Sequence, residues 1–230
     1  MANLVGVVGA SGHGKSSSFF PNEELKIKGL NPKETVFINV SGKSLPIKGF
    51  HKLYPSTDIR TGGNYIHTED SDVISKVVEY VATSRPEIKN IVIDDAGYTM
   101  GLEVLAKAKN KGFDKWTDLA LNHMKIINAA RGVKRNDLNI IFTYHQEKGA
   151  DGNLKIKTSG SMIDNNILLD GLFTTILYAC VTTEGQVVKY GFKTHGDGSN
   201  TCKSPASMFK EDIIPNDMGY VLDKMNEYYN

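Results

Sequence analysis

An α/β fold with a mostly parallel, twisted sheet flanked by helices is predicted by three observations. Short apolar runs alternate with amphipathic helical stretches, the pattern of a sheet covered on both faces. The first run, Leu4-Val5-Gly6-Val7-Val8, leads directly into the glycine-rich stretch Gly9-Ala10-Ser11-Gly12-His13-Gly14-Lys15-Ser16. A later run, Asn90-Ile91-Val92-Ile93, ends in the acids Asp94-Asp95. In such sheets ligands gather at the carboxyl ends of the strands, where both features fall. The chain has 230 residues, 40% of them apolar, which suits one domain spanning residues 1–230.

Six strands are expected: 3–8, 35–40, 90–94, 138–144, 172–180 and 186–193. The first four are short apolar runs bounded by turn signals. The last two follow one another through Thr182-Thr183-Glu184-Gly185 and read as a C-terminal β-hairpin added to the sheet. Between strands, Ser71–Ser84 carries Val73, Ile74, Val77, Val78 and Val81 at helical spacing and stops before Pro86. Asp114–Arg131 carries Leu119, Ala120, His123, Ile126, Ile127 and Ala130 on one stripe, with Gly132 as its stop. A last helix covers about 218–229. The stretch 41–69, rich in glycine, proline and basic residues, reads as an irregular loop. It is either a contact surface for phosphate or nucleic acid, or a solvated excursion after the second strand.

Composition excludes several classes. No run of eighteen apolar residues is present, so no membrane span is expected, and the first residues read as a core strand rather than a signal peptide. A cytoplasmic protein is the expectation. Cys180 and Cys202 lack metal-ligand spacing, and Cys180 falls in an apolar strand as a core residue would. The net charge of +1 lacks the basic excess usual for nucleic-acid binders, which leaves room only for a local basic groove or an assembled ring or filament.

Residues 9–16 match G-x-x-x-x-G-K-[ST] in full, after a strand and before an expected helix. Backbone N–H groups of Gly9, Ala10, Ser11, Gly12, His13 and Gly14 would turn toward β- and γ-phosphates, helped by the dipole of the following helix. Lys15 would reach the phosphate oxygens, Ser16 would offer its hydroxyl to Mg²⁺, and Ser17 completes the set. Asp94 is assigned to the Mg²⁺ shell. Asp95 is the nearest candidate to polarise an attacking water, or else it caps the next helix. Beyond the strand 138–144, His145 and Glu147 would face one side and Gln146 the other. Each either senses phosphate or positions water, or simply pairs with a neighbouring loop. The segment 149–161, turning at Asp151-Gly152 and flanked by Lys148, Lys155 and Lys157, reads as a mobile basic hairpin or loop. No base-reading motif separates ATP from GTP.

These segments together resemble the phage-encoded ATP-binding proteins of the AAA/RecA-like class. The residues that carry the resemblance are Gly9–Ser16, Ile93-Asp94-Asp95 with Tyr98, Gly112-Phe113-Asp114-Lys115-Trp116-Thr117, and His145 with Glu147. Further matches are Lys157-Thr158-Ser159-Gly160, Gly171-Leu172-Phe173-Thr174, Lys203-Ser204-Pro205 with Met208-Phe209, and Ile214-Pro215-Asn216-Asp217. The resemblance implies a RecA-like P-loop NTPase fold that binds ATP and Mg²⁺ and couples hydrolysis to single-stranded DNA. It implies homo-oligomers with nucleotide at subunit interfaces, where Lys203 or Lys193 would act as a trans finger, and phage recombination or replication proteins as partners. In one respect the chain departs from the pattern. Where RecA-like ATPases often carry a catalytic glutamate after the second strand, this chain reads Ile38-Asn39-Val40-Ser41-Gly42-Lys43. Either Asp95 or Glu147 takes that role, or hydrolysis is slow and the protein works as an ATP-bound switch.

Overall fold

The computed structural model describes residues 1–55, 58–109, 112 and 114–229. Phe113, one of the residues carrying the resemblance, lies outside the described residues. In chain order the strands are β1 (Asn3–Gly9), β2 (Thr35–Asn39), β3 (Tyr65–His67), β4 (Asn90–Asp94), β5 (Asn139–Lys148), β6 (Leu154–Ile156), β7 (Thr175–Glu184), β8 (Val187–Lys193) and β9 (Ile213–Pro215). The helices are α1 (Phe50–Leu53), α2 (Ser71–Ser84), α3 (Tyr98–Ala106), α4 (Asp114–Gly132), α5 (Ser161–Asn166) and α6 (Met218–Tyr229).

The strands form one sheet in the order β3-β2-β4-β5-β1-β7-β8-β9, with β6 paired to β5 off that path. From β3 to β7 every pairing along the path is parallel, and β8 and β9 are antiparallel additions. The expected mostly parallel sheet with a C-terminal hairpin is therefore present. Because side chains alternate along a strand, each buried strand feeds two cores. Ile91, Ile93, Ile140 and Phe142 pack on one face with Ile74, Val78, Ile126 and Ile127 of α2 and α4. Val92 and Ile141 point to the other, with Phe19, Phe37, Tyr54, Val221 and Met225.

Helix α2 has the bounds its pattern predicts, because Asp70 caps it by accepting the N–H groups of Asp72 and Val73. His123 lies on the buried stripe of α4, bonded to the Thr99 hydroxyl and the Tyr144 phenol. Burial lowers its pKa to about 4, so it is a neutral core residue.

Four expectations change. No α-helix follows the glycine-rich loop; Ser16–Phe19 is a single 3₁₀ turn. Phe20 is extended and precedes Pro21, which lacks an N–H and disfavours helix at the residue before it. The helix dipole expected behind the loop is reduced to that turn. The stretch 41–69 is not wholly irregular, since it holds α1 and the edge strand β3, parallel to β2. The last hairpin turns two residues later than expected, at Gly185-Gln186, with Glu184 opposite Val187. Gly185 has the positive φ (62°) such tight turns require. Strand β5 runs on to Lys148, so His145 and Glu147 are strand residues, and residues 149–156 complete an antiparallel hairpin with β6. Among the described residues no helix is long and apolar enough to cross a membrane.

The aromatic core has a direct test. Phe142 is fully buried, with ring centroids 5.5 Å from Phe173 and 6.3 Å from Tyr144. Phe142→Ala should cost about 3–5 kcal/mol, seen as a lower denaturant midpoint at unchanged slope.

Candidate functional site

Parallel register brings the carboxyl ends of β1, β2, β4 and β5 to one rim of the sheet. Gly9 lies opposite His145, and Asp94 opposite Asn39. Strand β5 separates β1 from β4, so Asp94 is one strand removed from the glycine-rich loop. It reaches the loop nonetheless. The Ser16 hydroxyl donates to both Asp94 oxygens, at 3.0 and 2.9 Å, and the Thr143 hydroxyl on the intervening strand donates at 2.8 Å.

Within the loop, Lys15 is buried and its ammonium donates to the carbonyls of Gly9 and Ala10, both at 2.9 Å. Burial pulls its pKa below the ordinary lysine value, against the opposing pull of Asp95 and Asp94. Gly14 has a positive φ (83°), and a Cβ there would come within 2.9 Å of Asn216 Oδ1 and 3.1 Å of Tyr190 Cδ1. Only glycine lets the loop pass so close to those two side chains. The His13 ring bonds the Ala179 carbonyl of β7, at 3.0 Å, and anchors the loop on its other side.

Asp95 adopts the left-handed conformation (φ 57°), and its side chain is 1% exposed. It does not cap α3, whose N-cap is Gly97 with no side-chain bond. Its Oδ2 is 2.5 Å from the Lys43 ammonium, and its Oδ1 lacks a hydrogen-bond partner, with His145 Nε2 3.6 Å away. Lys43 is placed by Asn39 at the end of β2. The Asn39 amide donates to the Lys43 carbonyl and its oxygen accepts the Gly42 N–H, closing a turn at Gly42 (φ 70°). Burial alone would lower the Lys43 pKa, but the Asp95 bond and the charge of Asp94 raise it. His145 is lowered, by burial first and then by Lys15.

A cavity of about 760 Å³ opens over the loop. Gly12, Lys15, Ser16, Lys43 and His145 line one part of it, Tyr190 and Asn216 another. The donors fit a magnesium–triphosphate group. Ser16 and Asp94 offer hard oxygen ligands side by side, and Lys15 and Lys43 would offer two ammonium groups to phosphate. Among the described residues no cluster of three or more His, Cys, Asp or Glu could hold a metal alone. Magnesium bound through one carboxylate and substrate phosphates needs none.

The other sequence candidates lie apart from the loop cavity. Glu147 pairs with Lys155 at 3.4 Å and accepts the Thr158 N–H. Lys193 pairs with Asp197 at 3.1 Å. Lys203 is bound through its backbone to Ile176, at the level of Gly6 rather than of the loop. Sequence reasoning missed Thr143 and Tyr190 as site residues; it held Lys43 only within the basic stretch 41–69 and Asn216 only among the residues carrying the resemblance. Thr143 carried a signal, a polar residue in an apolar strand beside the acid-bearing one, and Lys43 follows a strand end that belongs at the ligand rim.

The Asp94 carboxyl is fully buried, and desolvation, then the neighbouring charge of Asp95, raises its pKa to about 6. Its folded-state pKa thus exceeds its ordinary value of 3.8. The stability this contributes is complete below about pH 4 and is lost as pH rises through about 6. Ligand-free Asp94→Asn should therefore melt higher than the parent at neutral pH, by on the order of 2 kcal/mol. Thermal melts of the two proteins should converge as pH falls toward 4.

No family model matches the chain, and no curated protein matches its sequence. Among solved structures it is similar to a KaiC-like protein from the hyperthermophilic archaeon Pyrococcus horikoshii OT3. The two are 10% identical over 83% of this chain and 77% of the other, with a TM-score of 0.47.

Proposed function

We propose that this chain is a RecA-like P-loop ATPase that binds Mg-ATP and couples its turnover to single-stranded DNA. The observation that carries the nucleotide reading is the Ser16 hydroxyl donating to the buried Asp94 carboxylate at 2.9 Å. A phosphate loop and an acid-ended strand far apart in sequence meet where a phosphate-bound Mg²⁺ would need both. Ser16 and Asp94 would hold that metal, which when bound would offset phosphate charge. Lys15 would leave the carbonyls of Gly9 and Ala10 for the phosphates, and Lys43 would turn from Asp95 to the γ-phosphate. Asp95, buried and with one free oxygen, would then orient and deprotonate the attacking water.

Single-stranded DNA would run past the second cavity beside the loop, about 460 Å³, lined by Tyr98, His145, Gln146 and Lys157. An exposed aromatic ring beside a lysine is what stacking bases and tracking phosphates use. Lys155 contributes less to such a track, since Asp164 and Glu147 hold its charge. The resemblance adds homo-oligomers with nucleotide at their interfaces, Lys193 or Lys203 reaching a neighbour's phosphates, and phage recombination or replication proteins as partners.

The Lys43–Asp95 pair favours a second reading. Without an acid after β2, and with Asp95 held by a lysine, the protein would be a nucleotide-gated assembly factor that hydrolyses ATP slowly or not at all. Turnover measured with and without single-stranded DNA separates the two, with Lys15→Ala as the blank. DNA-stimulated hydrolysis that falls steeply with salt supports the first reading. A nucleotide-dependent change of oligomer size without stimulation supports the second.

Binding itself has a simpler check. Mg-ATP at about a hundred times its dissociation constant should stabilise the parent by roughly 2.7 kcal/mol and leave Lys15→Ala unmoved. An unchanged melting temperature of the parent would overturn both readings. Lys43→Gln should raise DNA-independent turnover severalfold if Lys43 restrains Asp95, and lower it if Lys43 serves the γ-phosphate alone.

A further inference from the structure

We propose that His123 is a positioning residue: through Thr99 it holds the turn between β4 and α3 in the shape that sets the Asp95 carboxylate beside Lys43 and His145. The inference deepens the hydrolysis reading and rests on Asp95 as the group that orients the attacking water.

The turn spans residues 95–97 and needs to be held. Asp95 opens it in the left-handed conformation (φ 57°), which a residue with a side chain adopts only where its surroundings impose it. From β5 the grip is direct. The Asp95 N–H donates to the Thr143 hydroxyl at 2.6 Å, and the Ala96 N–H to the Thr143 carbonyl at 2.9 Å. On the α3 side, the Ala96 carbonyl accepts the Thr99 hydroxyl at 2.9 Å. The Tyr144 ring backs the last residue of the turn, since a Cβ on Gly97 would stand 3.5 Å from Tyr144 Cδ1.

His123 completes the grip on the α3 side. It is buried on α4 and bridges two partners, Nδ1 to the Thr99 hydroxyl at 2.9 Å and Nε2 to the Tyr144 phenol at 3.1 Å. The proton positions follow by elimination. The Thr99 hydroxyl has one hydrogen. With the ring proton on Nδ1, that hydrogen goes to Ala96, Nδ1 donates to Thr99, and the Tyr144 phenol donates to Nε2. With the ring proton on Nε2, Thr99 would have to give its hydrogen to Nδ1 and release Ala96. The buried Tyr144 hydrogen would then have no acceptor among the described residues. A buried donor left unpaired is costly, so this pocket selects the neutral Nδ1–H form.

The chain Tyr144–His123–Thr99–Ala96 thus joins β5, α4 and α3 around one turn, and each link fixes the next. Neutral imidazole suits the place because it donates at one nitrogen and accepts at the other while filling a core position. A leucine would pack on the same stripe as Leu119, Ile126 and Ile127, but it would leave Thr99 and Tyr144 unpaired. Helix α3 also carries Tyr98, whose ring centroid lies 5.5 Å from that of His145. The same grip therefore sets the spacing of those two rings.

Steady-state turnover of Mg-ATP and amide exchange followed by NMR test this on the full chain. Thr99→Val removes the hydroxyl at nearly constant shape, and Thr99→Ser keeps it. In Thr99→Val the Asp95 and Ala96 amides should exchange about tenfold faster than in the parent. The Val92 and Ile141 amides of the central strands should stay as they are, which also shows that the variant folds. Its kcat should fall about tenfold or more at unchanged Mg-ATP affinity, because Lys15, Ser16 and Asp94 are untouched. Thr99→Ser should recover both, and His123→Leu should behave as Thr99→Val does. Unchanged exchange at Asp95 and Ala96 would overturn the proposal. So would faster exchange in an active protein whose kcat stays at the parent's. A loss of kcat matched by lost Mg-ATP affinity and lost Val92 protection would mean general loosening, and would overturn it too. A parent that binds Mg-ATP without turning it over would overturn the hydrolysis reading. Exchange at Asp95 and Ala96 would then still decide whether His123 holds the turn.

Discussion

Asp94 and Asp95 are neighbours in sequence, and both are buried at the end of β4. Much of the site answers the cost of that burial. A carboxylate removed from water must be paired, hydrogen-bonded or protonated. Asp94 is served by two hydroxyls, from Ser16 on the loop and Thr143 on β5, and its pKa rises. Asp95 is served by an ammonium, from Lys43 beyond β2. Three segments far apart in the chain are thereby drawn to one acidic pair. A divalent cation bound there would relieve the cost that the hydroxyls only reduce, which is the physical reason the proposed site would favour a metal.

The missing helix behind the loop changes which groups can hold phosphate. A long helix would bring its dipole and a row of free N–H groups to the anion. Here the 3₁₀ turn is four residues long, and Phe19 and Phe20 plunge into the core against Phe37 and Tyr54. At the proposed phosphate site the burden would shift to the loop's own N–H groups and to Lys15 and Lys43. Rigidity comes from α6 instead. Asp217 binds the N–H groups of Lys28 and Gly29, so the chain after the turn is clamped to the start of the last helix. The same clamp fixes the backbone on which Asn216 faces the cavity.

The pieces legible in the sequence were those with a local physical signature. Gly9–Ser16 has a fixed spacing set by phosphate geometry, and Asn90–Asp94 is an apolar run ending in an acid. The stripe on α2 was equally local. What escaped depended on distant contacts. Lys43 meets Asp95 across 52 positions, and neither residue predicts the other. Edge strand β3 has three residues, too few for periodicity to register, and exists because β2 offers it a parallel ladder. Tyr190 on a hairpin strand carries no pattern at all, and Asn216 before a helix entered only as part of the resemblance. Only the sheet order, which sets β8 and β9 beside β7 and β1, brings them to the loop.

The lysine beyond β2 is best understood through charge. With Asp94 and Asp95 already at the end of β4, a glutamate at the exit of β2 would put a third carboxylate around one poorly solvated cavity. Like charges in such a place repel one another, which burial strengthens. A lysine has the opposite effect: its ammonium favours the ionised form of the acid it touches. Two adjacent acids on β4 and a cation after β2 are thus one electrostatic solution, and an acid after β2 beside a single acid on β4 is another. In this chain the lysine bonds one oxygen of Asp95 and so restrains it. In the proposed ATPase, competition between Asp95 and the γ-phosphate for Lys43 would then determine whether it turns over or waits.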